Sequence, residues 1–325
     1  MTVSRRGFLH FAAGGAALAA MPQPGLAQAY PSRPVTLVVF VPPGGAPDLV
    51  ARLIGQPLSQ RLGQPVVIEN RPGGGGNLAL QAVVRAPADG HTLLLIATPH
   101  AVNVTLYEKQ AINVIRDIVP VASIDNDAFS MVVNPSLPVR TVAEFVAHAK
   151  SNPGKVNMGS SGSGNLSHLA GELFKMMTGT EMVHVPYRGM PAAITALMTG
   201  DVHVVFDALP SSLSHVREGK VRAIGVTTDT RVKALPDVPP VAETVPGYVV
   251  TGWLGIGVPK GTPAGIVERL SRETNAVLGD PETVTRLANI GSEPFVTSPD
   301  GFGRFIATET EKWAKVVRTA GIKAE

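Results

Sequence analysis

Residues 158–174 read MGSSGSGNLSHLAGELF, which sets the hydroxyls of Ser160, Ser161 and Ser163 among Gly159, Gly162 and Gly164 and follows them with His168. Two chemistries fit those residue types. A serine nucleophile needs an imidazole base within hydrogen-bond reach, and His168 lies one helical turn after Gly164, where it can lean back over the loop. Ser160 or Ser163 would then serve an exported hydrolase, although the stretch lacks the G-x-S-x-G register of a strained nucleophile elbow. The alternative is an anion cradle. Glycines let several backbone N–H groups point outward at a helix start, and the helix dipole there favours carboxylate or phosphate. In that case His168 braces the loop.

Three other short segments share the placement, each after an expected strand and before an expected helix: VPPGGAPD at 41–48, NRPGGGGN at 70–77 and TPH at 98–100. Ligands of open α/β sheets bind outside the carboxyl ends of the strands, so these segments should converge. A tight βα connection would look the same in any one of them. Asp48 either caps its own helix or fixes the loop and accepts an N–H from a ligand. Asn70 and Asn77 allow the same pair of roles. Gly75, Gly76, Thr98 and His100 fall within the converging segments. Arg188, after the MVHVPY run, can pair a carboxylate or stand solvated, and Asp207 closes the apolar run VVFD, where a carboxylate often faces a site. Phe40, His100, Tyr187 and Asp207 are the side chains placed to select the rest of a ligand.

Other chemistries fail on inspection. GGGNLA at 74–79 matches a dinucleotide fingerprint, but the next strand ends in Thr98 and Pro99 without the acidic residue that would hold a ribose. No glycine turn is followed by a Walker lysine. The eight histidines form no H-E-x-x-H motif, so no metal is expected. His184 and His203 alternate within apolar strands and read as structural. With no cysteine in the chain, disulfides, thiol catalysis and a lipidated cysteine are excluded.

The elements that must position these residues follow a βαβ rhythm. Strands are expected at 35–41, 65–70 and 91–97 with helices at 47–62 and 77–85; after a strand at 129–134 the pattern restarts. The second set has helices at 141–151, 165–178 and 191–199 and strands at 155–158, 182–187, 201–207 and 221–228. A strand from 252 and helices at 263–278, 281–290 and 299–318 complete the chain. Continuously apolar runs suit strands covered on both faces, hence an α/β fold with a parallel sheet. At 325 residues the chain exceeds one ordinary core. It should form two domains, 30–128 plus 250–325 and 129–249, crossing near 125–132 and 247–253 around a hinged cleft.

The chain opens MTVSRRGFLHFAAGGAALAAMPQPGLAQAY, with Arg5 and Arg6 before a weakly apolar run and Ala27-Gln28-Ala29 as a cleavage site. This predicts a twin-arginine export signal over 1–29, whose apolar part, from Gly7 to Met21, is glycine-broken and too short to span a bilayer. Export leaves the charges nearly balanced, because the signal holds Arg5 and Arg6 and no acid. The net charge of +3 therefore gives no reason to expect nucleic acid.

Taken in order, VPPGGAPD, VIENRPGGGGN, ADGHTLLL, GSSGSGNLSHLAGELF and VPYRGMPAAITALMTGDVHVVFD resemble the Bug family, periplasmic solute receptors of tripartite tricarboxylate transporters. The likeness runs from about residue 33 to the C-terminus. It implies a type II periplasmic-binding-protein fold, two Rossmann-like α/β domains that close on a small organic acid without cofactor or catalysis. The family's loops hold a ligand carboxylate through backbone groups and waters. Carried over, that points to Pro43, Gly44, Gly45, Ala46 and Asp48 in one loop and to Ser160, Ser161, Gly162, Ser163, Gly164 and His168 in the other, with Asp207 beyond them. Pro47 departs from the family pattern and removes one N–H donor, and NRPGGGG stands where the family has NRPGAGG-type turns. The expected partners are a mono- or dicarboxylate, aromatic acids included, and membrane permease subunits, with the receptor itself a monomer. A sensor reporting to a signalling partner would have the same cleft.

Overall fold

A computed structural model describes residues 30–319, 321 and 322, so the expected export signal lies outside the described residues. The first half of the chain forms β1 (Val35–Val39), α1 (Ala46–Leu62), β2 (Val66–Asn70), α2 (Asn77–Val84), β3 (Thr92–Ala97), α3 (Thr98–Leu106) and the short α4 (Val114–Asp117). Strand β1 shows why the pattern was readable: Val35, Leu37, Val38 and Val39 are all buried, as in a strand covered on both faces. The long strand β4 (Ile118–Val133) then carries the chain across. Beyond it lie α5 (Val142–Ser151), β5 (Val156–Ser160), α6 (Leu166–Thr178), β6 (Met182–Pro186), α7 (Met190–Thr199), β7 (Val204–Ala208), α8 (Leu209–Arg217) and β8 (Arg222–Val226). The return brings β9 (Thr251–Pro259), α9 (Ala264–Leu278), α10 (Pro281–Asn289), β10 (Ser292–Pro294) and α11 (Pro299–Thr319).

The strands run in the order β2-β1-β3-β9-β4-β7-β5-β6, with β8 and β10 also paired to β4. Strands β1, β2 and β3 are parallel, as are β5, β6 and β7. The crossing strands are not: β9 is antiparallel to both β3 and β4, and β4 is antiparallel to β7 and β8. The sheet is therefore mixed where the sequence led us to expect a parallel one. A strand arriving from the other half needs no helical crossover and pairs from the opposite end.

Along β4 the partner changes between adjacent residues. Ala128 is opposite Thr251 of β9, while Phe129 is opposite Ala208 of β7. The return crossing is as abrupt: the Val250 N–H donates to the Thr227 carbonyl in the second half, and Thr251 already pairs in the first. Each half has its own core, one around Leu37, Ile54, Leu94 and Trp253, the other around Phe145, Phe174, Phe206 and Tyr248. Helix α11 reaches both, placing Phe302 and Ile306 in the first and Trp313 and Val317 in the second.

Two further local readings change. TPH is not a turn, because Thr98 starts α3 directly at the end of β3. Helix α8 was not expected, since Leu209-Pro210-Ser211-Ser212 reads as a turn; a proline in the first helical turn loses no intrahelical bond. Among the described residues no helix is long and apolar enough to cross a membrane.

Candidate functional site

The starts of α1, α3, α6, α7 and α8 and the glycine turn Pro72–Gly73–Gly74–Gly75–Gly76 open onto a cavity of about 670 Å³. The crossing strands also contribute lining residues, Asp127 and Phe129 from β4 and Gly252, Trp253 and Leu254 from β9. Of the residues singled out in the sequence, Phe40, Gly45, Ala46, Gly75, Gly76, Thr98, Ser161, Gly162, Ser163, Tyr187, Arg188 and Asp207 line it. Pro43, Gly44, Asp48, Asn77, His100, Ser160, Gly164 and His168 are not part of the lining. Most of these eight support the groups that are.

Asp48 shows how. Its carboxylate, 2 % exposed, accepts the Gly44 N–H at 2.9 Å and Asn70 Nδ2–H at 2.9 Å, and pairs with Arg52 at 2.9 Å. Gly45 is the N-cap of α1 and has no side chain to offer, so Asp48 instead ties the preceding loop to β2 through Asn70. Burial pushes the Asp48 carboxyl up, but the bonds from Arg52, Gly44 and Asn70 outweigh it and hold the group below the ordinary carboxylate range. Gly44 sits at φ 85°, so a side chain there would strain the turn that delivers its N–H. The Asn77 Oδ1 accepts from Asn103 Nδ2, whose other bond is to the Gly75 carbonyl, fixing the glycine turn from behind.

His100 is fully buried and edge-on to Phe40, with ring centroids 4.9 Å apart. Its Nδ1 accepts the Ala97 N–H at 3.2 Å, which places the proton on Nε2. Burial pulls its pKa down to about 4, against weaker opposition from backbone groups of Ala97 and Gly76. The imidazole thus stays neutral in the fold between pH 6.5 and about 4 while an unfolded one protonates, and stability from this group falls as pH drops through that window. His100→Gln should therefore be less stable than the parent at pH 7.5, with the gap closing by about 2 kcal/mol at pH 4.5. Urea unfolding at the two pH values measures it; a constant gap would show that His100 is not held neutral.

In the second loop the amides are largely occupied from behind. Ser161 N–H donates to Ser167 Oγ at 3.0 Å, Gly162 N–H to Ser160 Oγ at 3.2 Å and Gly164 N–H to His168 Nδ1 at 3.1 Å. His168 is the brace that its spacing suggested. It stacks on His184 at 3.8 Å, and it is His184, not His168, that meets Ser160, with Nε2 2.6 Å from Oγ. Ser160 is fully buried, so the Ser160–His184 pair offers no hydroxyl to a substrate. The first residues of α6, Leu166 and Ser167, bring N–H groups without intrahelical acceptors to the lining, together with the Ser161 hydroxyl. Among the described residues that line the cavity, Arg188 is the only cation.

Sequence reasoning missed Asp127, Phe129, Gly252 and Trp253. Asp127 and Asp207 are both buried lining carboxyls. Burial raises the pKa of Asp207 to about 7, against hydrogen bonds from Ser211, Ser212 and the Ala208 N–H. Burial and then the charge of neighbouring Asp125 hold Asp127 well above the ordinary range. The signal that could have found them was the predicted crossing at 125–132 and 247–253, because segments passing between two halves must run under the cleft. Among the described residues no group of side chains could hold a metal ion.

A family model described as tripartite tricarboxylate transporter family receptor matches residues 50–322. Protein BugT of Bordetella pertussis is 36% identical over 310 residues, 94% of this chain and 95% of its own. The solved structure of R. palustris Rpa4515 with adipate superposes with a TM-score of 0.88 at 39% identity, covering 90% of this chain and 99% of that one. MatC from Rhodopseudomonas palustris with bound malate gives 0.83 at 32% identity, covering 89% and 100%. With its likeness to these proteins extending over nearly the whole described length, the chain belongs to the tripartite tricarboxylate transporter receptors, a solute-binding family and not an enzyme family.

Proposed function

We propose that the protein is an exported, periplasmic receptor that binds a small organic carboxylate in this cavity and delivers it to the permease of a tripartite tricarboxylate transporter. The observation that carries the reading is the convergence of five helix starts and a glycine turn on one cavity of about 670 Å³. Helix starts favour anions, and this volume suits a small ligand. That one relative is solved with adipate and another with malate supports the same chemical class. Arg188, exposed beside Tyr187, is the cation available to a carboxylate.

The lobes would be residues 30–128 with 250–325 and residues 129–249, closing about the partner changes at Ala128/Phe129 and Val250/Thr251. Gly189, at φ 103°, would carry a Cβ only 2.7 Å from Pro42 Cγ, so glycine at this position lets the two lobes come together. Ligand contacts made only in the closed state would bias the equilibrium toward it.

The test is a thermal-shift screen of the chain from Tyr30 onward, unfolded and refolded to strip bound ligand, against mono-, di- and tricarboxylates and aromatic acids. An acid at one hundred times its dissociation constant should add about 2.7 kcal/mol, and the corresponding amides should add nothing. Equal shifts with amides would overturn the carboxylate reading.

A further inference from the structure

The two segments that pass between the halves are joined by one buried residue. Thr227, fully buried just past the end of β8, stands where both segments change partner. Its N–H donates to the Phe129 carbonyl at 2.8 Å, and its own carbonyl accepts the Val250 N–H at 2.9 Å. Its hydroxyl lies 3.1 Å from the same Phe129 carbonyl and also reaches the carbonyl of Val250. Phe129 is where β4 begins to pair in the second half, and Val250 directly precedes the pairing of Thr251 in the first. The contacts of this one residue thus fall on the two points about which the lobes would turn.

Any residue but proline could supply the two backbone bonds. The hydroxyl is a different matter. It carries a single proton and stands between carbonyls of two segments that are far apart along the chain. Valine has the same branched shape and would keep the backbone bonds while removing this link. The segments so joined also form the floor of the cavity, with Asp127 and Phe129 on one and Gly252 and Trp253 on the other. Thr227 is not part of the lining, so it acts on a ligand only through them. While the link holds, a shift of one crossing carries the other, and a ligand contact on either is felt by both. Without it each crossing turns alone, and the lobes sample more relative orientations. Only some of those bring the floor and the helix starts around one ligand, and apparent affinity falls with the fraction of molecules in that arrangement.

We propose that Thr227 is a positioning residue, the pin that joins the two crossings into one hinge and sets the floor of the cavity. This deepens, and rests on, the two-lobe closure above.

The chain contains no cysteine, so nitroxide labels can be placed at two introduced ones without side reactions. Leu78→Cys at the start of α2 and Thr195→Cys on α7 put one label on each lobe, at exposed positions outside the cavity lining. Electron–electron resonance then gives the distribution of interlobe distances in the free protein, and calorimetry with adipate and malate gives affinity. In Thr227→Val the distribution should broaden, and the tighter-binding of the two acids should weaken by about fivefold. Thr227→Ser, which keeps the hydroxyl, should hold the parent's distribution and stay within about twofold of its affinity. Thr227→Ala removes the hydroxyl without crowding its surroundings and replaces the valine variant if that one does not fold. A distribution as narrow without the hydroxyl as with it would overturn the pin. Equal broadening in Thr227→Ser would do so too, since packing and not the hydroxyl would then be responsible. An affinity unchanged by loss of the hydroxyl would overturn its role in setting the floor. If neither acid binds the parent, the carboxylate reading fails for these ligands, while the distances in the free protein still decide whether Thr227 pins the hinge.

Discussion

Asp48→Ala should destabilise the protein by about 3 kcal/mol at pH 7 and weaken carboxylate binding at least tenfold, although Asp48 does not line the cavity. The loss comes from three donors that share one buried acceptor: the Gly44 N–H, Asn70 Nδ2–H and the Arg52 guanidinium. Arg52 is half exposed, so water replaces much of its share, and the ion pair alone contributes less than about 1 kcal/mol. Most of the loss comes from the Gly44 and Asn70 bonds, which anchor the loop leading into α1 to the end of β2. Without them Gly45 and Ala46 lose the position from which they face the cavity. The pH dependence has a definite sign. Asp48 is held below the ordinary carboxylate range, so its contribution is full above pH 4 and disappears as pH falls through the folded-state pKa. The deficit of Asp48→Ala should therefore be full at pH 7 and shrink below pH 4. Denaturant unfolding and calorimetry with the tightest-binding acid measure the two effects. A variant within about 0.5 kcal/mol of the parent, with unchanged affinity, would show that the loop holds its shape without the brace.

The start of that loop was legible in the sequence because glycine and proline mark strand ends and helix starts whatever the tertiary context. The run VPPGGAPD predicted α1 from 47, and the helix begins at Ala46. What spacing could not separate was a cap from a brace, since Asp48 is in register for either and the choice depends on Asn70, far along the chain and adjacent only through β1–β2 pairing. The crossing strand was harder. Ser123-Ile124-Asp125-Asn126-Asp127 places several polar residues inside what proves to be continuous β4, and on apolar periodicity alone such a stretch reads as a linker. Of those residues only Asp127 meets the cavity; Ser123 and Asp125 are tied to Phe295 and Ser292 in the segment around β10, and Asn126 is exposed, so tertiary partners distant in sequence account for the polarity. Ser160 illustrates the opposite error. Its hydroxyl is close to His168 along the chain, but β5–β6 pairing brings His184 to it instead, and both histidines go to packing the loop.

Glu309→Ala should cost about 3 kcal/mol and lower the melting temperature by roughly 6 °C, while Glu309→Gln should cost about 1 kcal/mol or less. Glu309 is 7 % exposed, and its Oε2 accepts both the Trp253 and the Trp313 indole N–H, each at 3.0 Å. Oε1 faces Lys312 at 3.1 Å, an exposed contact that adds little. Alanine would leave two buried indole donors without a partner, each at a cost of about 1–3 kcal/mol, whereas glutamine keeps an acceptor in place. The consequence extends to binding because the two tryptophans belong to different parts of the architecture. Trp313 packs in the core of the second half, while Trp253 packs in the first and lines the cavity on the return strand β9. A single carboxylate on α11 thus connects both cores to the floor of the site. Freed of it, Trp253 can turn, so Glu309→Ala should lose ligand affinity beyond what its stability deficit alone explains. Differential scanning calorimetry of the free and acid-saturated protein separates the two. If the ligand-induced rise in melting temperature is the same in Glu309→Ala as in the parent, Glu309 holds the cores together without positioning Trp253 for the ligand.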